Sequence, residues 1–204
     1  GRINIISLNN NFLITIMKIS GNEIRPGMVI VYKDKLWRAV KTQHTQPGKG
    51  GAYLQVELKS LTDNTKLNER FRSAESVERA TLDEGKFQYL YKEGENYIFM
   101  NNETFEQASL TPNQISEEEA KLLTESLEVT ISFYNDNPIF ITLPKTVTLE
   151  VIDTESSIKG QTATASFKPA TVTGNLRVMV PPHIEIGTKI IINTDDFSYM
   201  GKTK

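Results

Sequence analysis

The sequence predicts an all-β chain of three small barrel-like units, with one short helix in the second unit. Two observations support this prediction: apolar and polar residues alternate over short runs, as in half-buried strands, and turn residues separate these runs at short intervals. A third observation is that one segment alone carries the capping residues of a helix.

The first unit is predicted over residues 17–80. Two apolar runs flank a polar turn at Lys33, Asp34 and Lys35, which predicts a hairpin. The segment AYLQVELKSL then places apolar residues at Leu54, Val56 and Leu58, every second position, which is typical of a half-buried strand. The segment NERFRS predicts a further strand, and so many short strands in one span indicate a small barrel.

The second unit is predicted over residues 81–144. Two aromatic-rich runs flank the turn EGEN, with Gly94 in place for a hairpin, and a later hairpin turns at NDNP. Between them, Ser116 precedes an acidic turn with Glu119 three residues on, a capping box that predicts the start of a helix. The residues available for its buried face are Ala120, Leu122, Leu123 and Leu127.

Pro144 marks the boundary to a third unit over residues 145–204, which again consists of short strands separated by turns. About five strands per unit, occurring twice, are compatible with two oligonucleotide-binding-type barrels. Periodicity alone leaves other small barrels open.

Residues 1–16 are expected to lie outside the three units. Their two short apolar runs are split by three asparagines, so neither is long enough to span a bilayer. The segment has one basic residue and no small-residue cleavage site, which argues against a signal peptide. We expect Met17 to be the functional start and residues 1–16 to be a leader, a misassigned start or an expression remnant.

The composition excludes several classes of site. The 204 residues include no cysteine, which removes disulfides, cysteine zinc sites and thiol nucleophiles and favours the reducing cytoplasm. The two histidines, His44 and His183, are too few for a histidine-rich metal site. No grouping of Ser, His and Asp has a nucleophile signature. The sequence therefore predicts no catalytic residue, metal or cofactor.

The net charge of −2 hides a strong polarity along the chain. Residues 17–80 carry 12 Lys/Arg against 7 Asp/Glu, a net +5, whereas residues 81–144 carry 3 against 12, a net −9. Residues 145–204 carry 7 against 6, a net +1. This asymmetry indicates a basic end that can meet nucleic acid beside an acidic middle.

The segment QPGKGGAY places a single lysine, Lys49, among glycines. A phosphate cradle needs a Ser or Thr after the lysine and a helix to follow, whereas two glycines and a predicted strand follow here. Pro47 stiffens one side of the loop, and the glycines allow a tight turn or a close approach. Two interpretations stay open: an ordinary hairpin turn with an incidental lysine, and a lysine held out to meet a partner. The basic residues nearby favour a loop facing nucleic acid: Arg38, Lys41, Lys59, Arg70 and Arg72.

Three motifs resemble the bacterial elongation factor P family. The segment PGKGGA, from Pro47 to Ala52, resembles the family's modified-lysine loop. The run YLYKEGENYIFMNNETFEQ, from Tyr89 to Gln107, resembles a hallmark of its second domain, and IKGQTATASFKPATVTG with VPPHIEIG resembles the signature of its third. The resemblance covers the chain from Met17 to the C-terminus.

The resemblance implies an L-shaped protein similar in outline to tRNA, with an N-terminal SH3-like (KOW-type) barrel followed by two OB-fold barrels. It implies a cytoplasmic, monomeric translation factor and not an enzyme. Such a factor binds both ribosomal subunits between the peptidyl-tRNA and exit sites and relieves stalling at consecutive prolines. No membrane partner is implied.

The resemblance also assigns residues. Lys49 is implied to be extended by a modifying enzyme and directed toward the peptidyl-transferase centre. The loop implied to face peptidyl-tRNA comprises Gln46, Pro47, Gly48, Lys49, Gly50 and Gly51. Further contacts with ribosomal RNA or tRNA are expected from Arg38, Lys41, Arg70 and Arg72.

The third unit departs from the family pattern in two places. The loop implied to approach the exit-site codon contains Gly160, Gln161 and Thr162, and Gln161 replaces the family's usual acidic residue. Gly174 comes one residue early, which leaves Asn175 where the family has glycine. Because Asn tolerates a left-handed conformation, we expect the turn to survive in altered geometry.

The residues leave a second class of function open, a general single-stranded RNA-binding or chaperone protein built from small barrels. Such a protein is expected to bind unstructured RNA broadly. The acidic second unit argues against broad binding of that kind.

Overall fold

The computed structural model describes residues 4–7, 13–156 and 166–204, which form three β-sheets and one α-helix. The predicted all-β class, with three β-sheet domains and a short helix in the second, is confirmed. The sheets arise where the sequence alternates, because successive side chains of a strand point to opposite faces. On β5, for example, Leu54, Val56 and Leu58 are fully buried and the residues between them face outward.

The first sheet has seven strands in the order β1-β2-β7-β3-β4-β5-β6. The strands are β1 (Asn4–Ser7), β2 (Leu13–Ser20), β3 (Val29–Tyr32), β4 (Lys35–Thr45), β5 (Tyr53–Ser60), β6 (Lys66–Arg72) and β7 (Ser76–Thr81). A single 3₁₀ turn, Gly21–Glu23, follows β2. Lys33 and Asp34 have φ of 48° and 59°, so a two-residue turn of the I′ kind joins β3 to β4 and confirms that predicted hairpin.

The first sheet encloses a core around Trp37, whose indole N–H donates to the Tyr32 carbonyl oxygen at 2.8 Å. The buried members of this core are Ile24, Ile30, Trp37, Ala39, Leu54, Val56, Leu58, Phe71 and Val77. Strand β2 crosses Met17 without a break, and Ile16 is 2% exposed. The expected start at Met17 thus falls inside a strand, and the assignment of residues 1–16 as a leader stays a prediction.

The second sheet has the order β10-β9-β8-β11-β12 and the third has the order β15-β14-β13-β16-β17. The second comprises β8 (Asp83–Glu93), β9 (Asn96–Asn101), β10 (Gln107–Leu110), β11 (Glu128–Tyr134) and β12 (Asn137–Thr142), with α1 (Glu117–Leu122) between β10 and β11. The third comprises β13 (Thr146–Thr154), β14 (Lys168–Val172), β15 (Leu176–Val180), β16 (Lys189–Asn193) and β17 (Tyr199–Lys202). Numbered within each sheet, both have the order 3-2-1-4-5, so the two five-stranded domains share one topology.

Two further predicted hairpins are confirmed in the second sheet. Gly94 has φ of 60° in the turn between β8 and β9. Asn135 and Asp136 have φ of 52° and 62° in the turn between β11 and β12. Asn, Asp and Gly adopt these left-handed angles at low cost, which is why they mark the turns in the sequence.

Helix α1 begins at the predicted capping box. The Glu119 N–H donates to Ser116 Oγ at 3.1 Å, and the Ser116 N–H donates to Glu119 Oε1 at 3.1 Å. The helix ends before two of the residues predicted for its buried face: Leu123 is already extended, and Leu127 lies beyond the helix. Leu127 bonds to the second sheet instead, where the Tyr89 N–H donates to its carbonyl oxygen at 2.9 Å.

The described chain forms two compact units. One comprises the residues up to Glu84 with Ser132–Ile139, and the other comprises Gly85–Ile131 with Phe140–Lys204. The domain boundaries predicted at residues 80 and 144 stay a prediction.

Within the second unit, α1 contributes to the core of the third sheet. Leu122 is fully buried among residues of that sheet, including Val147 and Val178. The backbone of the β14–β15 turn approaches the same helix so closely that a Cβ on Gly174 would lie 2.1 Å from the Lys121 carbonyl oxygen. Gly174 has φ of 89° and Asn175 has φ of 64°, so Asn175 does adopt the expected left-handed conformation.

Replacing Gly174 with Ala is predicted to destabilise the second compact unit by about 3 kcal/mol or more, because backbone strain and a clash with the helix add together. Gly187→Ala is the matched control, since Gly187 has φ of 91° but open space around it. We expect a cost of about 1–2 kcal/mol for the control. Urea denaturation followed by far-UV circular dichroism measures both, and equal losses would contradict the close approach of Gly174 to α1.

Candidate RNA-facing loop and basic face

Residues 46–52, here called the lysine loop, connect β4 to β5. The pair Thr45–Tyr53 ends the ladder at its base, and Lys49 is exposed at its middle. Among the described residues, the Lys49 side chain makes no hydrogen bond or ion pair. The loop therefore presents a primary amine that the described chain does not engage.

Gly50 is the one glycine of the lysine loop with a left-handed backbone, at φ of 105°. The atom nearest to an added Cβ there is Pro47 Cγ at 4.0 Å, so conformation and not space demands glycine. A Cβ on Gly48 or Gly51 would meet nothing within 4 Å. The turn depends on Gly50, and the other two glycines leave the surface beside Lys49 bare.

Strand β6 anchors the C-terminal end of the lysine loop. The Arg70 guanidinium carbon lies 4.1 Å from the centroid of the Tyr53 ring. The Ser73 N–H donates to the Ala52 carbonyl oxygen at 3.1 Å. A cation over an aromatic ring contributes about 0.5–1 kcal/mol at an exposed site. These two contacts hold the residues at which the loop rejoins the sheet.

A β-bulge brings Arg38 and Lys41 to the same side of the sheet. Arg38 pairs with Lys59 and Lys41 pairs with Glu57, so β4 advances three residues while β5 advances two. In an uninterrupted strand, side chains three positions apart point to opposite faces. The extra residue, Val40, reverses the alternation and turns Lys41 outward.

The outward side of β4, β5 and β6 carries six cations, three of which the strand register pairs directly with one another. We call this set the basic face: Arg38, Lys41, Lys59, Lys66, Arg70 and Arg72. Glu57 is the one acid at the paired outward positions, and its Oε1 lies 3.9 Å from Lys66 Nζ. Arg70 and Arg72 lie near the base of the lysine loop and the row of Arg38, Lys59 and Lys66 lies at the far end of the ladder, so the positive potential extends along this side of the sheet.

All four basic residues expected from the sequence, Arg38, Lys41, Arg70 and Arg72, lie on this face. Their contacts with RNA stay a prediction. The sequence interpretation missed Tyr53 as an anchor and Lys66 as a sixth cation. Lys66 lies at an even spacing from Arg70 and Arg72, and that spacing could have shown it on the same side of the strand.

The remaining candidate residues add no chemistry to the lysine loop or lie outside the described residues. His44 is exposed near the end of β4, opposite Leu54. The expected exit-site loop, residues 160–162, lies outside the described residues. Within the described ranges, no group of three or more acidic or histidine side chains is placed to hold a metal ion. In the same ranges, no helix has the length and apolar character needed to cross a membrane.

Family models match three successive parts of the chain. They are the elongation factor P KOW-like domain over residues 20–77, the elongation factor P OB domain over residues 82–141 and the elongation factor P C-terminal domain over residues 147–202. The first match contains the lysine loop and all six cations of the basic face.

Curated proteins called elongation factor P are similar over most of the chain. The protein of Pelagibacter ubique (strain HTCC1062) is 52% identical over 186 residues, which cover 91% of this chain and 100% of that protein. The protein of Rickettsia bellii (strain OSU 85-389) is 49% identical over 189 residues, which cover 92% of this chain and 100% of that protein. A solved structure of eukaryotic translation initiation factor 5A from Methanococcus jannaschii matches 63% of this chain and 95% of its own, at a TM-score of 0.38 and 20% identity.

Replacing Arg70 with Met is predicted to loosen the lysine loop, because the cation over Tyr53 is lost while the apolar stem is kept. A contact of about 0.5–1 kcal/mol changes the ratio of two loop conformations about two- to fivefold. Because the chain has no cysteine, a spin label on Gly51→Cys reports loop motion without removing Lys49. Lys66→Met is the control: it removes the same charge from the same face but leaves Tyr53 covered. Equal label mobility in the two variants would contradict the anchoring role.

Proposed function

The chain belongs to the elongation factor P family of translation factors, and we propose that it promotes peptide-bond formation at consecutive prolines by presenting Lys49 to peptidyl-tRNA on the ribosome. The family is one of translation factors and not of enzymes, and it implies interaction with the ribosome. The proposed binding position lies between the peptidyl-tRNA and exit sites, in contact with both ribosomal subunits.

The observation that carries the proposal is the position of Lys49. Its amine is exposed and unengaged by the described chain, at the middle of a loop whose base is fixed by the Thr45–Tyr53 pair and by Arg70. An amine held this way can bind the phosphate backbone of a tRNA end as a compact charge. Gly48 and Gly51 add no side chains that would keep the tRNA at a distance.

The chemistry that such a loop can supply is positioning. Proline is a cyclic secondary amine with a restricted φ, so a proline-rich nascent end is difficult to align for attack. A misplacement of about 1 Å can slow a reaction about 10²-fold. A factor that holds the peptidyl-tRNA end in a reactive pose lowers this barrier while forming no bond itself. The proposal therefore gives the chain no catalytic residue.

The basic face is the proposed contact with RNA around the lysine loop. Arg70 and Arg72 point outward near the loop base, and Lys41 and then Arg38 lie farther along β4 on the same side of the sheet. On this proposal, these cations neutralise backbone phosphates along the RNA. Arg70 then has two roles, since it also covers Tyr53. Because each phosphate contact releases counterions, we expect the affinity for ribosomes to fall steeply with salt.

Lys49 is also the proposed site of a post-translational modification. A modifying enzyme needs access to the amine, and the exposed loop provides it. A longer side chain would extend the reach toward the peptidyl-transferase centre.

We propose that the chain acts as a monomer in the cytoplasm, and that residues 160–162 approach the exit-site codon. The proposed modification of Lys49 is tested directly by the mass of the intact protein purified from its native host.

The basic face also favours a second candidate function, general binding of single-stranded RNA. That function predicts appreciable affinity for an unstructured oligonucleotide in the absence of ribosomes. The net −9 of residues 81–144 opposes it, so we expect weak retention in a filter-binding assay at physiological salt. Tight binding there, together with no effect on polyproline synthesis, would favour the second candidate.

Replacing Lys49 with Ala is predicted to abolish the rescue of polyproline synthesis, because the amine that meets the tRNA is removed. The free energy of unfolding should not change, since the Lys49 side chain makes no hydrogen bond or ion pair within the described residues. The measurement is the yield of a full-length polyproline reporter, compared with the yield without the factor, alongside the urea midpoint of the variant.

The control for this prediction is Lys145→Ala, which removes another exposed lysine far along the chain from the loop. It should retain full rescue. If Lys49→Ala rescues synthesis as well as Lys145→Ala does, the lysine loop does not act as proposed.

A further inference from the structure

Phe105 combines two features that seldom occur together in a folded chain. Its side chain is 68% exposed, and its backbone has φ of 62°, in the left-handed region that a bulky residue avoids. It lies in the short connection between β9 and β10, within the compact unit that contains the second half of the chain. Phe105 is far along the sequence from the lysine loop and from the basic face.

The loop that carries Phe105 is ordered by its own hydrogen bonds. Asn101 Oδ1 accepts from the Glu103 N–H at 2.8 Å and from the Thr104 N–H at 3.0 Å. The Phe105 N–H donates to the Asn101 carbonyl oxygen at 3.0 Å, and the Asn101 N–H donates to the Glu106 carbonyl oxygen at 2.8 Å. The aromatic ring is therefore held at the surface by a fixed backbone.

Neither feature benefits the isolated chain. Glycine would adopt the left-handed backbone without strain, and an exposed ring buries little apolar surface within its own fold. Strained residues persist where the surrounding structure over-determines them, and they concentrate at functional positions. Rigid aromatic side chains are also the common anchors of protein interfaces.

We propose that Phe105 is the anchor of a docking surface for a basic protein, with the ring inserting into an apolar socket rimmed by Lys and Arg. The two acids that flank it, Glu103 and Glu106, are exposed, and their charge favours a basic partner. Residues 81–144 carry a net −9, which repels RNA and anionic membranes alike. Lys86 is a cation beside this loop, since its carbonyl oxygen accepts from the Asn102 N–H at 2.9 Å, and the two acids outnumber it.

This inference rests on the proposed function: if the chain acts on the ribosome, the basic partner is a ribosomal protein. The chain would then use two chemistries: a basic face toward RNA and an acidic, aromatic loop toward protein. The second contact would add affinity and orientation without touching the tRNA end.

Two variants separate the role of the ring from the role of the backbone. Phe105→Gly removes the ring and relieves the strain, so the urea midpoint should rise or stay unchanged while ribosome affinity in co-sedimentation falls roughly tenfold or more. Phe105→Ala should lose affinity similarly without the gain in stability. Phe167→Ala is the matched control, because Phe167 is also an exposed phenylalanine, at 51%, and it should bind as the unaltered chain does.

A photo-crosslinking amino acid, p-benzoylphenylalanine, at position 105 identifies the contact on purified ribosomes. An adduct to a basic ribosomal protein supports the inference, and an adduct to ribosomal RNA overturns it. Equal affinity of Phe105→Gly and the unaltered chain also overturns it, and leaves the proposed function standing. If the unaltered chain itself does not co-sediment with ribosomes, the proposed function and this inference fall together.

Discussion

The antiparallel pairing of β4 with β5 is the constraint on which the candidate site depends. It fixes both ends of the lysine loop at Thr45 and Tyr53, so the loop leaves and re-enters one rigid ladder. The inward residues of β5 are fully buried, and slipping the register by one position would expose them. The same hydrophobic burial that holds the sheet together therefore determines where Lys49 is presented.

The bulge at Val40 shows how one extra residue changes a surface. Without it, Lys41 would point toward the core, where an unpaired charge is strongly unfavourable. With it, Lys41 lies on the same side of the sheet as Arg38 and the cations of β5 and β6. The positive potential of the basic face is thus a product of register as much as of composition.

Local chemistry made much of this fold predictable. Strict alternation identified β5, the Ser116 and Glu119 pair identified the start of α1, and Lys33-Asp34 identified a tight hairpin. Each of these signals depends on residues that are close in sequence. The loop itself, and the basic residues around it, could also be selected from the sequence.

What could not be predicted depends on contacts between distant segments. No glycine or proline marks the bulge at Val40, and nothing local couples Arg70 to Tyr53. The burial of Leu122 within the core of the third sheet and the bond from Tyr89 to Leu127 are likewise set by tertiary partners. The exit-site loop, residues 160–162, stays a prediction because it lies outside the described residues.

A structure of the chain bound to a ribosome stalled with a proline-ending peptidyl-tRNA tests the central claim most directly. We expect the Lys49 amine, modified or not, to lie about 3 Å from a backbone oxygen of the tRNA's CCA end. We also expect the basic face to turn toward RNA. If the lysine loop instead faces solvent or ribosomal protein, and another part of the chain holds the tRNA end, Lys49 does not position the tRNA as proposed.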